Sequence, residues 1–543
     1  MSRILVIGGY GGFGARLCRR LAAAGHHLLV AGRSGARAAR FCAALPQAEP
    51  LVLDRRGDVA AALARHRPDL VIDAAGPFQD SGYGVPEACI AAAIPYLDLA
   101  DARGFVAGMT RLDARARAAG VAILSGASTL PALSGAVARR LAAGLERAHS
   151  VEIALSASSR GSGGASVVRA ILSYVGQPVA LWRGRRRTHA IGWQEMVRED
   201  FPLADGTGLR GRLVAIADVP DCALLPALLP GRPSVTFRAG TELAFQMRAL
   251  WLGSWVVRRG WLGSLLPLSA PLAALYRLTL GLGSDRSAMK VALKGVADGR
   301  GIERIWTLVA ERGEGLDVPT LAAELLAGDI LAGKLPPGAR HAAGVLTLDR
   351  FEPALAGLAV RHEIVERDLA PPLYARILGP GFERLPPAVR GMHEVIGDAG
   401  AAGEGRVERG RGAIARMLAG AMRMPPDGTW PLHVAFAERG GVEAWTRDFG
   451  GHRFASELRE AGGLMVERFG PLRFAFELPC GPAGLEMRLR RWSFLGLPLP
   501  RSLAPRIAAR EREEEGRFRF EVEVSMPAIG RIVRYSGWLA PID

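Results

Sequence analysis

The chain has 543 residues, 49% of them hydrophobic and 22% charged, with 69 Lys+Arg against 53 Asp+Glu for a formal net charge of +16. At roughly 150 residues per domain this length suggests three or four domains, and the composition excludes wholesale disorder, a collagen-like repeat and a disulfide-stapled scaffold. Lysine occurs only at Lys290, Lys294 and Lys334, so nearly all of the positive charge is arginine.

That skew accompanies heavy Ala and Gly use throughout, as GC-rich coding would produce. A nucleic-acid binder concentrates its charge in one face or tail. Here residues 1–150 alone carry 18 Arg against 11 acids, and Arg510–Arg517 is charged but mixed in sign. No nucleic-acid partner is expected. The five cysteines are odd in number and form no C-x-x-C pair, and no H-E-x-x-H occurs, so neither a disulfide framework nor a metal site is expected. Met1-Ser2-Arg3-Ile4 runs straight into a strand, and a reduced, cytoplasmic chain is expected.

Short apolar strands at 4–7, 27–31, 50–53, 69–74, 96–99 and 121–124 alternate with helical patterns at 12–24, 36–45, 58–66, 85–93, 105–119 and 131–145. The pattern predicts an α/β Rossmann-type domain over 1–145, a doubly wound parallel sheet covered on both faces. Residues 146–365 read as an α+β substrate domain, inserted or appended. It has strands near 151–154, 235–238, 289–293 and 304–309, helices at 165–174 and 318–331, and irregular chain to about 232. Ala297-Asp298-Gly299-Arg300 reads as a hairpin turn. Residues 370–543 read as a β-rich antiparallel domain with flanking helices at 373–378 and 412–422, either a sandwich or a barrel-like half-shell. Its strands are expected at 432–437, 443–448, 454–458, 465–467, 472–478, 485–489, 518–524 and 531–539.

Gly9, Gly11 and Gly14 within Gly9-Tyr10-Gly11-Gly12-Phe13-Gly14 fit G-x-G-x-x-G directly after the first strand and before the first helix. Gly9 is expected to make the tight turn, Gly11 to let a pyrophosphate approach and Gly14 to let helix pack on strand. The amides of Gly12 and Phe13 then face the anion at a helix N-terminus. At the end of the second strand, where an NAD site places a carboxylate, stand Gly32, Arg33 and Ser34. A guanidinium there pairs with a 2′-phosphate, which favours NADP(H); the alternative is a surface arginine. Asp54 either meets the adenine amine or begins a helix. Ala75, Gly76 and Pro77 follow the fourth strand and are expected beneath the nicotinamide ribose.

These segments, with Val85-Pro86-Glu87-Ala88-Cys89, Tyr96-Leu97-Asp98-Leu99-Ala100-Asp101, Phe105 and Ser125-Gly126-Ala127-Ser128-Thr129-Leu130-Pro131, resemble the saccharopine dehydrogenase-like NADP-binding oxidoreductases. The resemblance is firm over 1–140 and loose over 150–350. Trp445–Gly451, Phe469-Gly470-Pro471 and Tyr535–Leu539 resemble a domain of unknown function found fused to such reductases. The resemblance implies an NADP cofactor and hydride transfer. It does not imply saccharopine as substrate, and it carries over no catalytic residue.

Asp73 reads as structural. Asp98 and Asp101 either serve a substrate or cap the next helix, and one of Ser128 and Thr129 is expected to cap the helix at Pro131. Lys290 and Lys294 share a strand face. Residues 251–283 hold Trp251, Trp255 and Trp261 and a run of 17 uncharged residues between Arg259 and Arg277, broken by Pro267 and Pro271. Two readings stand: a helical lid over the substrate, or a peripheral membrane contact. Both suit a small-molecule substrate that is apolar or lipid-derived, whereas a non-catalytic NADPH-binding sensor or scaffold acting through the C-terminal domain is the alternative to an enzyme. The oligomeric state is not legible.

Overall fold

The computed structural model describes residues 1–79, 81–160 and 165–542. Strands β1 (Arg3–Ile7), β2 (His27–Gly32), β3 (Ala48–Val52), β4 (Leu70–Asp73), β5 (Tyr96–Asp98) and β6 (Ala122–Ser125) form a sheet in the order β6-β5-β4-β1-β2-β3. Every pairing is parallel. β4 and β6 are buried at every position, because helices cover both faces. The order reverses between β1 and β4, and ligands of such sheets sit beyond the strand ends at that reversal.

Helix α1 (Gly12–Ala23) buries Leu17, Cys18 and Leu21 against the sheet. The single helix expected at 105–119 is instead three short pieces, Arg103–Gly108, Met109–Leu112 and Asp113–Ala118. The Tyr83 hydroxyl donates to the Phe105 carbonyl at 3.1 Å. It takes an acceptor that a continuous helix would use for its own ladder.

The second sheet is mixed and seven-stranded. Strand Arg147–Ala157 pairs in parallel with Ser234–Thr241 and antiparallel with Ser287–Ala297. The expected hairpin turn is present, with Asp298 and Gly299 at φ 49° and 69°. Residues 175–232 are not irregular: they form strands Pro178–Arg183, Arg186–Ile191, Val197–Phe201 and Leu209–Ile216 and helix Asp221–Leu228. Arg186, Arg187, His189, Arg198, Asp200 and Arg210 fill exposed positions of these strands, so the apolar alternation that identifies a strand is diluted. Helix Val318–Leu331 leaves this layer and packs on α1, where Arg16 pairs with Asp317 and Arg20 with Glu324. The next strand, Gly338–His341, lies parallel to β6 as the seventh strand of the first sheet. Most of the second region is therefore inserted in the nucleotide fold.

The C-terminal region is a barrel. Ten antiparallel strands between Asp398 and Pro541 pair in a ring, and Leu472–Glu477 closes it on Gly484–Phe494. Closure leaves no half-shell and no sandwich, and it removes the free edges. Inward residues such as Trp445, Phe449, Phe474, Phe476 and Phe518 form a core of their own. The barrel docks on the second sheet through polar contacts. Buried Asp398 accepts from Ser234 Oγ at 2.6 Å and from the Gly184 amide at 2.8 Å, and Lys294 pairs with Glu438 at 2.6 Å.

Candidate functional site

β1 delivers the chain into the glycine turn. The left-handed residue is Gly8, at φ 77°, and a Cβ there would come within 2.9 Å of the Ala75 backbone. The sharpest conformational demand thus falls one residue before Gly9, where the Ala75 backbone, leading into Gly76 and Pro77, lies against the glycine turn. A Cβ on Gly14 would overlap the Gly8 carbonyl oxygen and lie 2.9 Å from its carbon, so Gly14 is where α1 and the turn touch. The first ladder bond of α1 runs from the Ala15 amide to the Gly11 carbonyl at 2.9 Å. The amides of Gly12, Phe13 and Gly14 precede that ladder, no side chain caps them and no acid stands in the first turn. The cradle fits a pyrophosphate.

Tyr10 folds across the end of β2. Its ring lies where a Gly32 side chain would be, and its hydroxyl accepts from the Ser34 amide at 2.8 Å. Arg33 is exposed. Ser34 caps the following helix, accepting from the Arg37 amide at 3.4 Å, and the Arg37 guanidinium sits 5.0 Å from the Tyr10 ring centre. Tyr10, Arg19, Arg37, Arg40 and Phe41 line a basic recess beside the loop. Arg37 was not among the residues expected from sequence; its signal was the cation four residues beyond Arg33 in the same turn. Asp54 is exposed, and its carboxylate accepts from the Arg56 amide at 3.0 Å, which makes a local turn. The helix start belongs to Asp58, which accepts from the Ala61 amide at 2.9 Å.

The acids after β4 and β5 hold loops. Asp73 is fully buried and pairs with Arg55 at 2.9 Å; burial raises its pKa, and Arg55 works against the shift. One Asp98 oxygen accepts from the Ala100 amide, the Ser125 hydroxyl and the Gly126 amide at 2.8–3.0 Å, while the other has no partner. Burial pushes its pKa up to about 7. Asp98 caps no helix, since helix Arg103–Gly108 begins at Ala102 without a side-chain cap. Asp101 faces Gln79 at 3.5 Å. Neither Ser128 nor Thr129 supplies a side-chain cap to the turn Thr129–Leu133. Lys290 and Lys294 do share one strand, and each is taken up in an ion pair, with Glu199 and Glu438.

Beside the glycine loop opens a cavity of about 450 Å³. Phe13 and Thr129 enter it from the nucleotide domain, Leu155 and Met289 from the second sheet. Helices Ala165–Tyr174, Ala244–Arg258 and Ser269–Leu278 supply Leu172, Leu250, Leu272 and Tyr276 to the outer wall. The lining is overwhelmingly apolar. Its polar side chains are Thr129, Ser156, Ser158, Thr241, Gln246, Tyr276, Thr279 and Ser287, and the Ser156 and Thr241 hydroxyls find no partner among the described residues. Burial raises the Tyr276 pKa above the ordinary phenol value of 10.0. Of this site, sequence reasoning offered only the stretch 251–283, as one of two readings, because the lining is drawn from residues 13 to 319.

Fold and loop define a Rossmann-type nucleotide domain carrying an inserted mixed-sheet domain and a C-terminal barrel. Residues 4–87 match the NAD dependent epimerase/dehydratase family, and residues 385–539 match the Domain of unknown function (DUF4166). Comparison with curated proteins returns no match. Among solved structures, saccharopine dehydrogenase (L-Glu forming) from Saccharomyces cerevisiae is 13% identical, with 67% of this chain and 100% of that chain covered and a TM-score of 0.47. Amine dehydrogenase from Mycobacterium smegmatis is 14% identical over 64% and 95% of the two chains, with a TM-score of 0.35. The UDP-glucose-4-epimerase of Stenotrophomonas maltophila, solved with bound NAD, is 20% identical over 18% of this chain and 36% of its own, at 0.16. The fold assignment rests on the strand order and pairings above.

Proposed function

We propose that the protein is an NADP(H)-dependent oxidoreductase acting on a small apolar substrate. One observation carries the reading: Phe13, inside the glycine motif, is also a wall of the large apolar cavity. Cofactor cradle and substrate space thereby share a boundary. Apolar pockets with a few placed polar groups are the usual form of small-molecule sites.

When bound, the dinucleotide supplies the hydride. The chain does the rest. The Gly12–Gly14 amides would orient the pyrophosphate, and Arg33, Ser34 and Arg37, which follow β2, would meet a 2′-phosphate; no carboxylate stands at the end of β2 to serve a free ribose hydroxyl. Leucines of the outer wall exclude water from the substrate. Tyr276, a phenol among the lining residues, is the candidate proton donor.

NADPH and NADH titrations of the purified chain test the cofactor half. NADPH should bind more tightly, and Arg33→Ala with Arg37→Ala should erase most of that preference without weakening NADH. Equal affinities in the parent chain would overturn it. NADPH oxidation across apolar enoyl thioesters, ketones and imines tests the substrate half. Cofactor binding with no turnover on any of them would favour the sensor reading.

A further inference from the structure

The cavity does not open on an ordinary polar surface. Phe245 and Leu275 line it and are also 51% and 59% exposed, so its mouth lies between them. The segment that carries both, residues 245–282, holds eight of the nineteen exposed large apolar side chains of the described chain. Leu278 is 80% exposed, Trp261 69% and Leu282 66%. Isolated exposed leucines are common on soluble proteins; a cluster this dense marks an interaction surface.

Charge narrows the partner. Residues 244–283 contain four arginines, Arg248, Arg258, Arg259 and Arg277, all exposed, and no Asp or Glu. Arg258 and Arg259 lie over the Trp255 ring at 5.0 and 5.8 Å, and Arg259 also lies 5.6 Å from Trp261. Arg258 also donates to Gln194 Oε1 at 2.7 Å; exposed arginines beside tryptophan rings suit the boundary between acyl chains and anionic headgroups. A protein partner for an apolar face would ordinarily offer mixed charge at its rim. No helix among the described residues is long and apolar enough to cross a membrane, so the helices would lie in the interface plane.

We propose that the face formed by residues 245–282 docks on an anionic lipid bilayer and sets the cavity mouth against it, so that an apolar substrate passes from lipid into the site. The proposal rests on the apolar-substrate reading for its purpose. Its test does not, since vesicle binding needs neither substrate nor turnover.

The full chain is floated with phosphatidylcholine vesicles, with and without a minority of phosphatidylserine. It should rise with the anionic vesicles and be released by salt. Each arginine replaced by glutamine should lower partitioning about fivefold, from roughly 1 kcal/mol per surface cation. Trp261→Ser with Leu278→Gln and Leu282→Gln, none of which lines the cavity, should lower it at least tenfold while NADPH titration remains as in the parent chain. A parent chain that stays at the bottom with anionic vesicles overturns the proposal. So does a triple variant that floats as well as the parent. Self-association through the same residues without vesicle binding, seen by light scattering, makes the face a protein interface and equally overturns it. Failure of flotation leaves the cavity and its chemistry standing, and absence of turnover leaves the docking test intact.

Discussion

Gly14→Ala puts the smallest side chain where the first helix meets the glycine turn. The new Cβ would overlap the Gly8 carbonyl oxygen and lie 2.9 Å from Gly8 C and 3.0 Å from Gly9 Cα. All three are backbone atoms, so no side-chain rotation relieves the clash. Gly8 cannot retreat easily either, because it is held at φ 77° with Ala75 behind it and donates to the Ala31 carbonyl at 2.8 Å. α1 must therefore withdraw by several tenths of an ångström, carrying the Gly12–Gly14 amides with it. Overpacking of this kind costs about 1–3 kcal/mol, and misplaced anion donors should lower NADPH affinity by roughly 10–100-fold, at about 1.5 kcal/mol for each charge-assisted bond lost. Denaturant melts and NADPH titration read the two effects separately. Gly104→Ala is the control, since nothing lies within 4 Å of its added Cβ; it should be neutral or slightly stabilising. A Gly14→Ala chain with parental stability and affinity would refute the close-packing argument.

Tyr276→Phe should lower the rate of NADPH oxidation by about 10²–10⁴-fold and leave NADPH affinity unchanged; a variant as active as the parent chain would remove Tyr276 as proton donor. Asp98 has its pKa raised from 3.8 to about 7 by burial, so the folded state holds the proton more tightly than the unfolded chain. Its contribution is greatest below pH 4 and is lost as the pH rises toward 7. The unfolding free energy of the parent chain relative to Asp98→Asn should therefore fall between pH 5 and 7, by at most about 1.4 kcal/mol per pH unit, and a flat difference would contradict the assignment. Asp398→Ala removes the acceptor for Ser234 and the Gly184 amide. Two buried donors left unpaired should cost about 1–3 kcal/mol each, which calorimetry should show as earlier separation of the barrel; one unchanged transition would mean that the barrel is held by other contacts.

The glycine turn was legible in the sequence because it is local. The glycine loop, the end of β2 and the turn after β4 are each contiguous, and backbone geometry dictates glycine at Gly8 and Gly14. The cavity depends on tertiary placement, and its leucines look like any other core. Two barrel strands also escaped the sequence pattern. Asp398–Arg409 is rich in Gly and Ala because its neighbours press close, with the Phe449 ring beside Gly405 and the Trp538 carbonyl against Gly403. Arg506–Glu514 reads as a charged run, yet it turns Ala509 and Glu511 inward, where Glu511 meets buried His393 at 2.6 Å. Both strands face the barrel core, but through Ala401 and Val407 in one and Ile507 in the other, too few apolar side chains to show alternation.

Strand Gly338–His341 has a consequence for how the protein is made. β6 ends at Ser125, and its outer partner is supplied about 200 residues later. At about 5–20 residues per second, a nascent nucleotide domain waits roughly 10–40 s with an open edge. A fragment cut at residue 145 would keep that edge for good, inviting strand-to-strand association. The glycine loop is complete within the first 14 residues, but the sheet that holds it is finished only after the substrate domain has been threaded through.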